Sequence, residues 1–341
     1  MKPSSFAALL LASAVVLLLA IVTYSSATRL AQPKFSGAPL VPGLVTSAAR
    51  IARIEVKQGD ASVAIARNAG GAWGLADRDG YPVKIEAVRA LLVKLAEANL
   101  VEPKTRSKDR FSLLELEDPS GKDAKSRLVR LTDDKGAAIT EVVVGKKRFD
   151  AFGANRSGTY VRRPSDDQTW LASADIAASA NVKDWVNTGV LDLQPAKISA
   201  LTVEVPGEKP MRLTRDAAGG PSPKFNLVGV PDGKKVKEGG GVDTLVRAAT
   251  TIDLDDVRKA DPKAAADAGT VKIEGDGGLV VTLGFKKAGA DTWLSVAATG
   301  EGDAKAQAED INRRSAGWDF KLPAGKAASI LKRTSDFVEG S

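Results

Sequence analysis

The chain has 341 residues, 43% apolar, 5% aromatic and 27% charged, with no cysteine and no histidine. Its length suits two domains, each able to bury a core. The missing cysteine excludes disulfides, thiolate nucleophiles, iron–sulfur clusters and an acylated lipoprotein cysteine; the missing histidine excludes a Ser-His-Asp triad, an imidazole base and ordinary zinc or haem sites. The net charge of +7 is spread unevenly: residues 1–48 contribute +3, residues 49–195 another +3, and residues 196–341 only +1. A nucleic-acid surface needs basic side chains gathered on one face with aromatics to stack bases. The longest basic run, Lys146-Lys147-Arg148 beside Gly145, reads instead as a hairpin end, so nucleic acid is not an expected partner.

Taken in chain order, the first element is Phe6–Tyr24, nineteen residues without a charge. As a helix at about 1.5 Å per residue it spans roughly 28 Å, close to the hydrocarbon thickness of a bilayer. A cleavable signal core usually runs only about 7–15 residues, which favours an uncleaved anchor over residues 1–28. Cleavage at the small-residue site Ser25-Ser26-Ala27 is the competing reading. The charge bias across the run is weak, with Lys2 before it and Arg29 and Lys34 after it. The five-residue head leaves nearly the whole chain for export, so both readings put the body outside the cytoplasm. The expected location is a bacterial inner membrane, single-pass, with the C-terminal body extracytoplasmic. Residues 29–48, with Pro33, Gly37, Pro39, Pro42 and Gly43, lack periodicity and read as an extended linker.

The first domain is expected over residues 49–195. Ile51–Lys57 and Ser62–Arg67 alternate apolar and polar side chains around a Gln58-Gly59-Asp60 turn, and Ala72–Leu75 makes a third strand. A helix opened by Pro82 carries Ile85, Val88, Leu91, Leu92 and Leu95 on one face. Strands follow at Arg127–Thr132, Ile139–Val144, Thr159–Arg162 and Thr169–Leu171, then a short Ala-rich helix near Asp175–Ala180. The second domain, residues 196–341, begins with strands Ile198–Val205 and Met211–Arg215 and a helix bearing Val242, Leu245, Val246 and Ala249. Strands Val271–Glu274, Leu279–Phe285, Thr292–Ala298 and Trp318–Lys321 and a helix over Ala324–Lys332 complete it. Strands joined by short polar turns, with isolated helices, predict two tandem α+β domains of antiparallel or mixed sheets with helices on one face.

The two halves also echo each other. Residues 49–56 match residues 196–203 at an offset of 147; Ala177-Ala178-Ser179 matches Ala327-Ala328-Ser329 at 150; Asp184-Trp185-Val186 matches Asp336-Phe337-Val338 at 152. Ordered matches with slowly drifting offsets are what duplication followed by small insertions leaves, so the second domain is expected to be a degenerate repeat.

Several motifs have spacings that bear on chemistry. Ser329-Ile330-Leu331-Lys332 has the Ser-x-x-Lys spacing that brings an amine to a hydroxyl, but its partner motifs are missing, and Lys332 reads as a solvated cation at a helix end. The segments 77–80, 133–136 and 274–278 could offer oxygens to calcium, yet none has the spacing of a calcium loop, and hairpin turns explain them. Gly229–Lys235 is one residue short of a phosphate loop and contains Pro231. Gly239-Gly240-Gly241 reads as a flexible connection into a helix. The acidic pairs Asp166-Asp167, Asp255-Asp256 and Glu309-Asp310 point to opposite strand faces and read as solvated surface. Trp73, Tyr81, Trp170 and Trp185 are expected to pack the first core. No catalytic, cofactor-binding or metal-binding residues are assigned.

A series of ordered motifs does carry a resemblance. Trp73, Gly80-Tyr81-Pro82, the Val88/Leu91-Leu92/Leu95 helix, Phe111 and Leu116-Glu117-Asp118-Pro119 come first. Val144-Gly145-Lys146, Thr159–Pro164, Thr169-Trp170-Leu171, Trp185 and Leu191-Asp192-Leu193 follow. Over about residues 50–200 this series resembles the bacterial domain of unknown function 4340 family. The second half lacks a Gly-Tyr-Pro equivalent and a Tyr-Val-Arg strand. The resemblance implies an envelope-anchored protein with ABC transporter subunits as partners, and supplies no catalytic residues. The expected function is therefore a membrane-anchored, extracytoplasmic, non-catalytic accessory or scaffold of an ABC-type transport or envelope system. The alternative is a periplasmic module binding a sugar or lipid headgroup in the cleft between the halves, with a hydrolase third.

Overall fold

The computed structural model describes residues 37–217, 223–237, 239, 241–261, 263–264 and 266–340. The Phe6–Tyr24 run, the Ser25-Ser26-Ala27 site and residues 29–36 lie outside the described residues. Among the described residues no helix is long and apolar enough to cross a membrane.

The first half supplies β1 (Ala38–Pro39), β2 (Arg53–Gln58), β3 (Ala61–Arg67), β4 (Trp73–Leu75), β5 (Tyr81–Pro82), β6 (Asn99–Pro103), β7 (Arg127–Thr132), β8 (Ala138–Arg148), β9 (Gly158–Arg162), β10 (Thr169–Ala172) and β11 (Gly189–Asp192). The second supplies β12 (Ile198–Glu204), β13 (Met211–Arg215), β14 (Phe225–Val228), β15 (Lys234–Val236), β16 (Thr251–Asp253), β17 (Asp256–Lys259), β18 (Gly269–Gly275), β19 (Val280–Ala288), β20 (Asp291–Thr299), β21 (Trp318–Lys321) and β22 (Val338–Gly340). The class is α+β with antiparallel sheets. Ten strands form one sheet in the order β1-β6-β10-β9-β8-β7-β2-β3-β4-β5, and eight form another in the order β14-β13-β12-β18-β19-β20-β21-β17. Read from β4 to β6, the first sheet runs β4-β3-β2-β7-β8-β9-β10-β6, and the second follows the same path strand for strand.

The alternation that marked the strands sorts their faces. Ile54 and Val56 of β2 are buried between the more exposed Arg53, Glu55 and Lys57, and in β12 Leu201 and Val203 are buried around the more exposed Thr202, with the small Ala200 buried as well. Each half lays an amphipathic helix on its inner face, and the second half also packs Lys305–Ser315 against β20. Ile85–Glu97 buries Val88, Leu91 and Leu95. Val242–Thr250 buries Val242, Leu245, Val246 and Ala249, the four residues its spacing singled out.

The end of each half folds back over its own helix. The backbone N–H of Lys84, ahead of the first helix, donates to the Trp185 carbonyl at 2.7 Å. In the second half Lys237 N–H donates to the Phe337 carbonyl at 2.9 Å. The Lys326–Ile330 helix packs on Val242–Thr250.

Four expectations are corrected. Asp175–Ala180 is extended rather than helical: Ile176, Ala178 and Ala180 are buried in strict alternation, because the segment crosses the first helix as a strand-like strap. The linker gives way to packed chain from Gly37 onward, since β1 pairs with β6 and Leu40, Val41 and Leu44 are buried. Pro82 sits in β5 rather than opening the helix, and Ile85 is 39% exposed at the helix start. The last helix is confined to Lys326–Ile330. The Lys305–Ser315 helix and strands β6 and β14–β17 carried too short or too polar a pattern to be expected.

The outer face of the first sheet is roofed by residues 104–126, which include a 3-10 turn at Lys108–Leu114. Beneath it Phe111, Leu116, Val143, Tyr160 and Leu171 form a second, smaller core, so β9 is buried on both faces. Arg162 is 9% exposed there, with its guanidinium 5.0 Å from the Phe111 ring and donating to the Leu116 carbonyl at 3.3 Å. Burial lowers its pKa from the usual arginine value. Gly145 is the point of closest approach, since a Cβ there would lie 2.3 Å from the Leu114 carbonyl oxygen. Neither backbone can yield without breaking β8 or the roof. Gly145→Ala is expected to cost about 2 kcal/mol or more, read as an earlier urea midpoint with the amplitude of unfolding unchanged.

Candidate functional site

The halves meet along a seam built from the C-terminal part of the first and one edge of the second. Strand β11 pairs antiparallel with β16, Leu191 opposite Ile252 and Asp192 opposite Thr251. The ladder is extended at both ends, where Leu193 N–H donates to the Thr250 carbonyl and Leu254 N–H to the Thr188 carbonyl, each at 2.9 Å. Two ion pairs flank it. Arg78, on the 3-10 turn after β4, makes a fork to Asp256, Nε to Oδ1 and Nη2 to Oδ2, both at 2.9 Å. Lys183 Nζ donates to Asp255 Oδ1 at 2.8 Å.

The hydrogen bond to Asp256, more than its charge, holds the Arg78 pKa above its ordinary value, against the opposing effect of burial. The Asp255 hydrogen bond and then its charge raise Lys183 in the same way. On the far side of the seam Tyr81 stands edge-on to Trp318, with ring centroids 5.0 Å apart at 86°, and to Phe320 at 6.3 Å and 78°. Burial pushes the Tyr81 phenol up, and the charge of Arg314 pulls it the other way.

Two hollows open along this line. One of about 610 Å³ is lined by Asp60, Asp77, Arg78, Asn181, Asp255 and Asp256. The other, of about 560 Å³, is lined by Tyr81, Thr188, Arg313, Arg314, Trp318 and Phe320. The arginines of the second hollow already face a carboxylate: Arg313 donates to Asp310, and Arg314 lies 3.0 Å from it.

The sequence-singled residues fall in several places. The Asp255-Asp256 pair, expected as solvated surface, supplies both carboxylates of the seam. Tyr81, expected in the first core, packs against the shared core and also reaches across to Trp318 and Phe320 of the second half. Trp185 does pack the core, 3% exposed, and its indole N–H donates to the Ser179 carbonyl at 2.8 Å. Trp73 and Trp170 pack against the core from its edge. Ser329 Oγ donates to the Lys326 carbonyl, and the helix ends before Lys332. Asp133 Oδ1 accepts from the amides of Lys135 and Ala137 within the β7–β8 turn. Asp276 pairs with Arg215. Gly241 caps the Val242–Thr250 helix, and residues 229–235 form a turn into β15. Among the described residues no group of His, Cys, Asp or Glu side chains is placed to hold a metal ion.

One cluster had no signal in the sequence. Asp319, wholly buried, accepts from Lys286 Nζ at 2.9 Å and from Arg258 at 3.4 Å, and the Arg258 guanidinium lies 4.1 Å from the Trp293 ring centre. These four come from four strands that are neighbours only in the folded sheet.

Fold and seam define a two-part antiparallel α+β protein whose halves are joined by a backbone ladder, forked ion pairs and an aromatic contact. The chain belongs to the family described as Domain of unknown function (DUF4340), whose model matches residues 73–272. The match continues past the motif series into β18 and contains Arg78, Tyr81, Lys183, Asp255 and Asp256, while Trp318 and Phe320 lie beyond it. No curated protein and no solved structure matches the chain.

The seam ion pairs make two expectations measurable. A double-mutant cycle of Arg78→Ala and Asp256→Ala should give a coupling of about 1 kcal/mol, since the fork is only partly screened from solvent. Lys183 has a raised folded pKa. Its contribution is complete below the ordinary lysine value of about 10.4 and is lost as pH rises through the folded value. Melting temperatures between about pH 10 and 12 should therefore fall less steeply for Lys183→Met than for the unaltered chain.

Proposed function

We propose that this protein is a membrane-anchored, extracytoplasmic, non-catalytic accessory or scaffold component of an ABC-type transport or envelope system. In this reading Phe6–Tyr24 is held in the bilayer and the two halves form one body on the far side. The observation that carries it is how the charged groups of the cleft are paired. A receptor cleft presents convergent polar groups with no protein partner. Here Arg78, Lys183, Asp255 and Asp256 are spent on one another across the seam. The cleft works as a weld, which leaves the outer surfaces of a stiff body for contact with other envelope proteins. A tether confines such a body to the membrane surface and raises its effective concentration for membrane partners. The repeated strand order and the paired Lys84–Trp185 and Lys237–Phe337 contacts support a tandem duplication as the origin of the two halves.

A second reading keeps a ligand at the seam. The hollow beside Tyr81, Trp318 and Phe320 joins aromatic walls to two arginines, a setting suited to a sugar or a lipid headgroup.

Crosslinking in intact cells followed by affinity purification from the membrane fraction separates the two. The accessory reading expects ABC transporter subunits to be captured with the full chain, and capture to survive Tyr81→Ala. Recovery of the chain alone, together with a Tyr81-dependent thermal shift on adding sugars or headgroup analogues, would favour the ligand reading instead.

A further inference from the structure

We propose that the end of the first half carrying the β8–β9 hairpin lies on the bilayer, with Phe149 in the headgroup layer and its basic neighbours on anionic lipid phosphates, a placement that rests on the anchored reading of Phe6–Tyr24. Phe149 is 74% exposed at the start of the hairpin, directly after the exposed Lys146, Lys147 and Arg148. The longest basic run in the chain thus delivers an uncovered aromatic ring to a hairpin tip. Lys147 Nζ sits 4.7 Å from that ring's centre and 2.6 Å from Asp175. The hairpin's own acid is turned to structure, because Asp150 Oδ1 accepts from the Asn155 amide at 2.8 Å. Asp150 and Asn155 both hold positive φ, so the tip has a fixed shape. A basic cluster around an exposed apolar side chain is the pattern of a surface that binds an anionic bilayer interface.

The first described strand leads toward the same end, from Gly37 beside Leu100 to Leu40 beside Ala98. Asn99, Lys94 and Glu97 line one open cup of about 750 Å³ together with Phe149, Arg156 and Asp175. Pro39 pairs with Asn99, and Leu40 N–H donates to the Ala98 carbonyl at 2.8 Å, so the first described strand runs along this cup. Gly37 is pressed against β6, where a Cβ would lie 2.1 Å from the Leu100 carbonyl oxygen. From Gly37 across β6, β10 and β9 to β8 is roughly 20 Å at about 4.8 Å per strand. The thirteen residues from Tyr24 to Gly37 reach at most about 45 Å, enough to set the hairpin on the membrane. Val45, also 74% exposed, lies on the Leu44–Ser47 turn that packs on the helix ending at this cup.

The cysteine-free chain permits a direct test. A single Ala154→Cys in the hairpin carries an environment-sensitive nitrobenzoxadiazole probe. Asp134→Cys, at the other end of β8 and about 35 Å away, is the control. Full-length protein is placed in nanodiscs of phosphatidylglycerol with phosphatidylethanolamine, or of phosphatidylcholine alone. The expected result is a blue shift and quenching by nitroxide lipids at position 154 in the anionic discs, weaker in phosphatidylcholine, with position 134 remaining in water. Adding Lys146→Glu, Arg148→Glu and Phe149→Ser should reduce docking at least about tenfold while the melting temperature is unchanged. A probe at 154 that stays in water in disc-embedded protein overturns the placement and leaves the anchor standing. Full-length chain that never enters discs overturns the anchor and the placement together. Protection of position 154 in native membranes by a crosslinked protein, without lipid quenching, overturns it in favour of a protein partner.

Discussion

A helix about 10 Å across cannot cover a sheet of eight or ten strands spaced about 4.8 Å apart. The first half has one longer helix, Ile85–Glu97, and the second has Val242–Thr250 with Lys305–Ser315 against β20, so much of each inner face remains to be buried. Extra chain at the end of each half meets part of the demand: residues 174–186 in the first and 326–338 in the second fold back over the helix. The other half meets the rest. The result is one continuous apolar cluster that runs from Leu40 to Val338 and joins both sheets. Burial at about 25 cal/mol per Å² of apolar surface is the favourable term behind that shared core.

This shared core explains the character of the seam. Apolar contact alone would let two sheets slide, because dispersion and solvent exclusion have little direction. The β11–β16 ladder sets the register along the seam, and the Arg78–Asp256 fork fixes the angle across it. The Tyr81–Trp318 contact adds an edge-to-face geometry that tolerates little rotation. Each contact is modest in energy. Together they turn a non-specific attraction into one arrangement.

The sequence was most legible where one face of one element is buried. β7, β13 and β21 keep the bounds their alternation implies, and the Val242–Thr250 helix buries the four residues that its spacing selected. It was least legible where burial comes from elsewhere. The strap at 175–180 is rich in alanine, a strong helix former. Yet Ile176, Ala178 and Ala180 are buried in the core at every second position, and the local preference is overridden. β16 and β17 are three and four residues long and exist because β11 and β21 lie beside them. The seam was hidden for the same reason: Asp255 and Asp256 are ordinary surface acids until the first half brings Arg78 and Lys183 to them, from more than seventy residues away.

The family match itself follows this logic. It runs from Trp73 to Lys272, beginning inside the first sheet and ending inside the second, so it respects neither half as a unit. What it encloses is the first helix, the roof beneath which Gly145 and Arg162 sit, the strap, and most of the seam. In each of these places a residue answers to two neighbours at once: Gly145 to its own strand and to the roof, Trp185 to the core and to the helix start, Tyr81 to β4 and to the second half. A side chain held by two packings has fewer acceptable replacements than one held by a single sheet face. In β2 and β12, which hold the same place in the two strand orders, Ile54 and Leu201 are each wholly buried. Arg78, Tyr81, Lys183, Asp255 and Asp256 all lie within the matched span, so the contacts that join one half to the other fall largely inside what the family model describes.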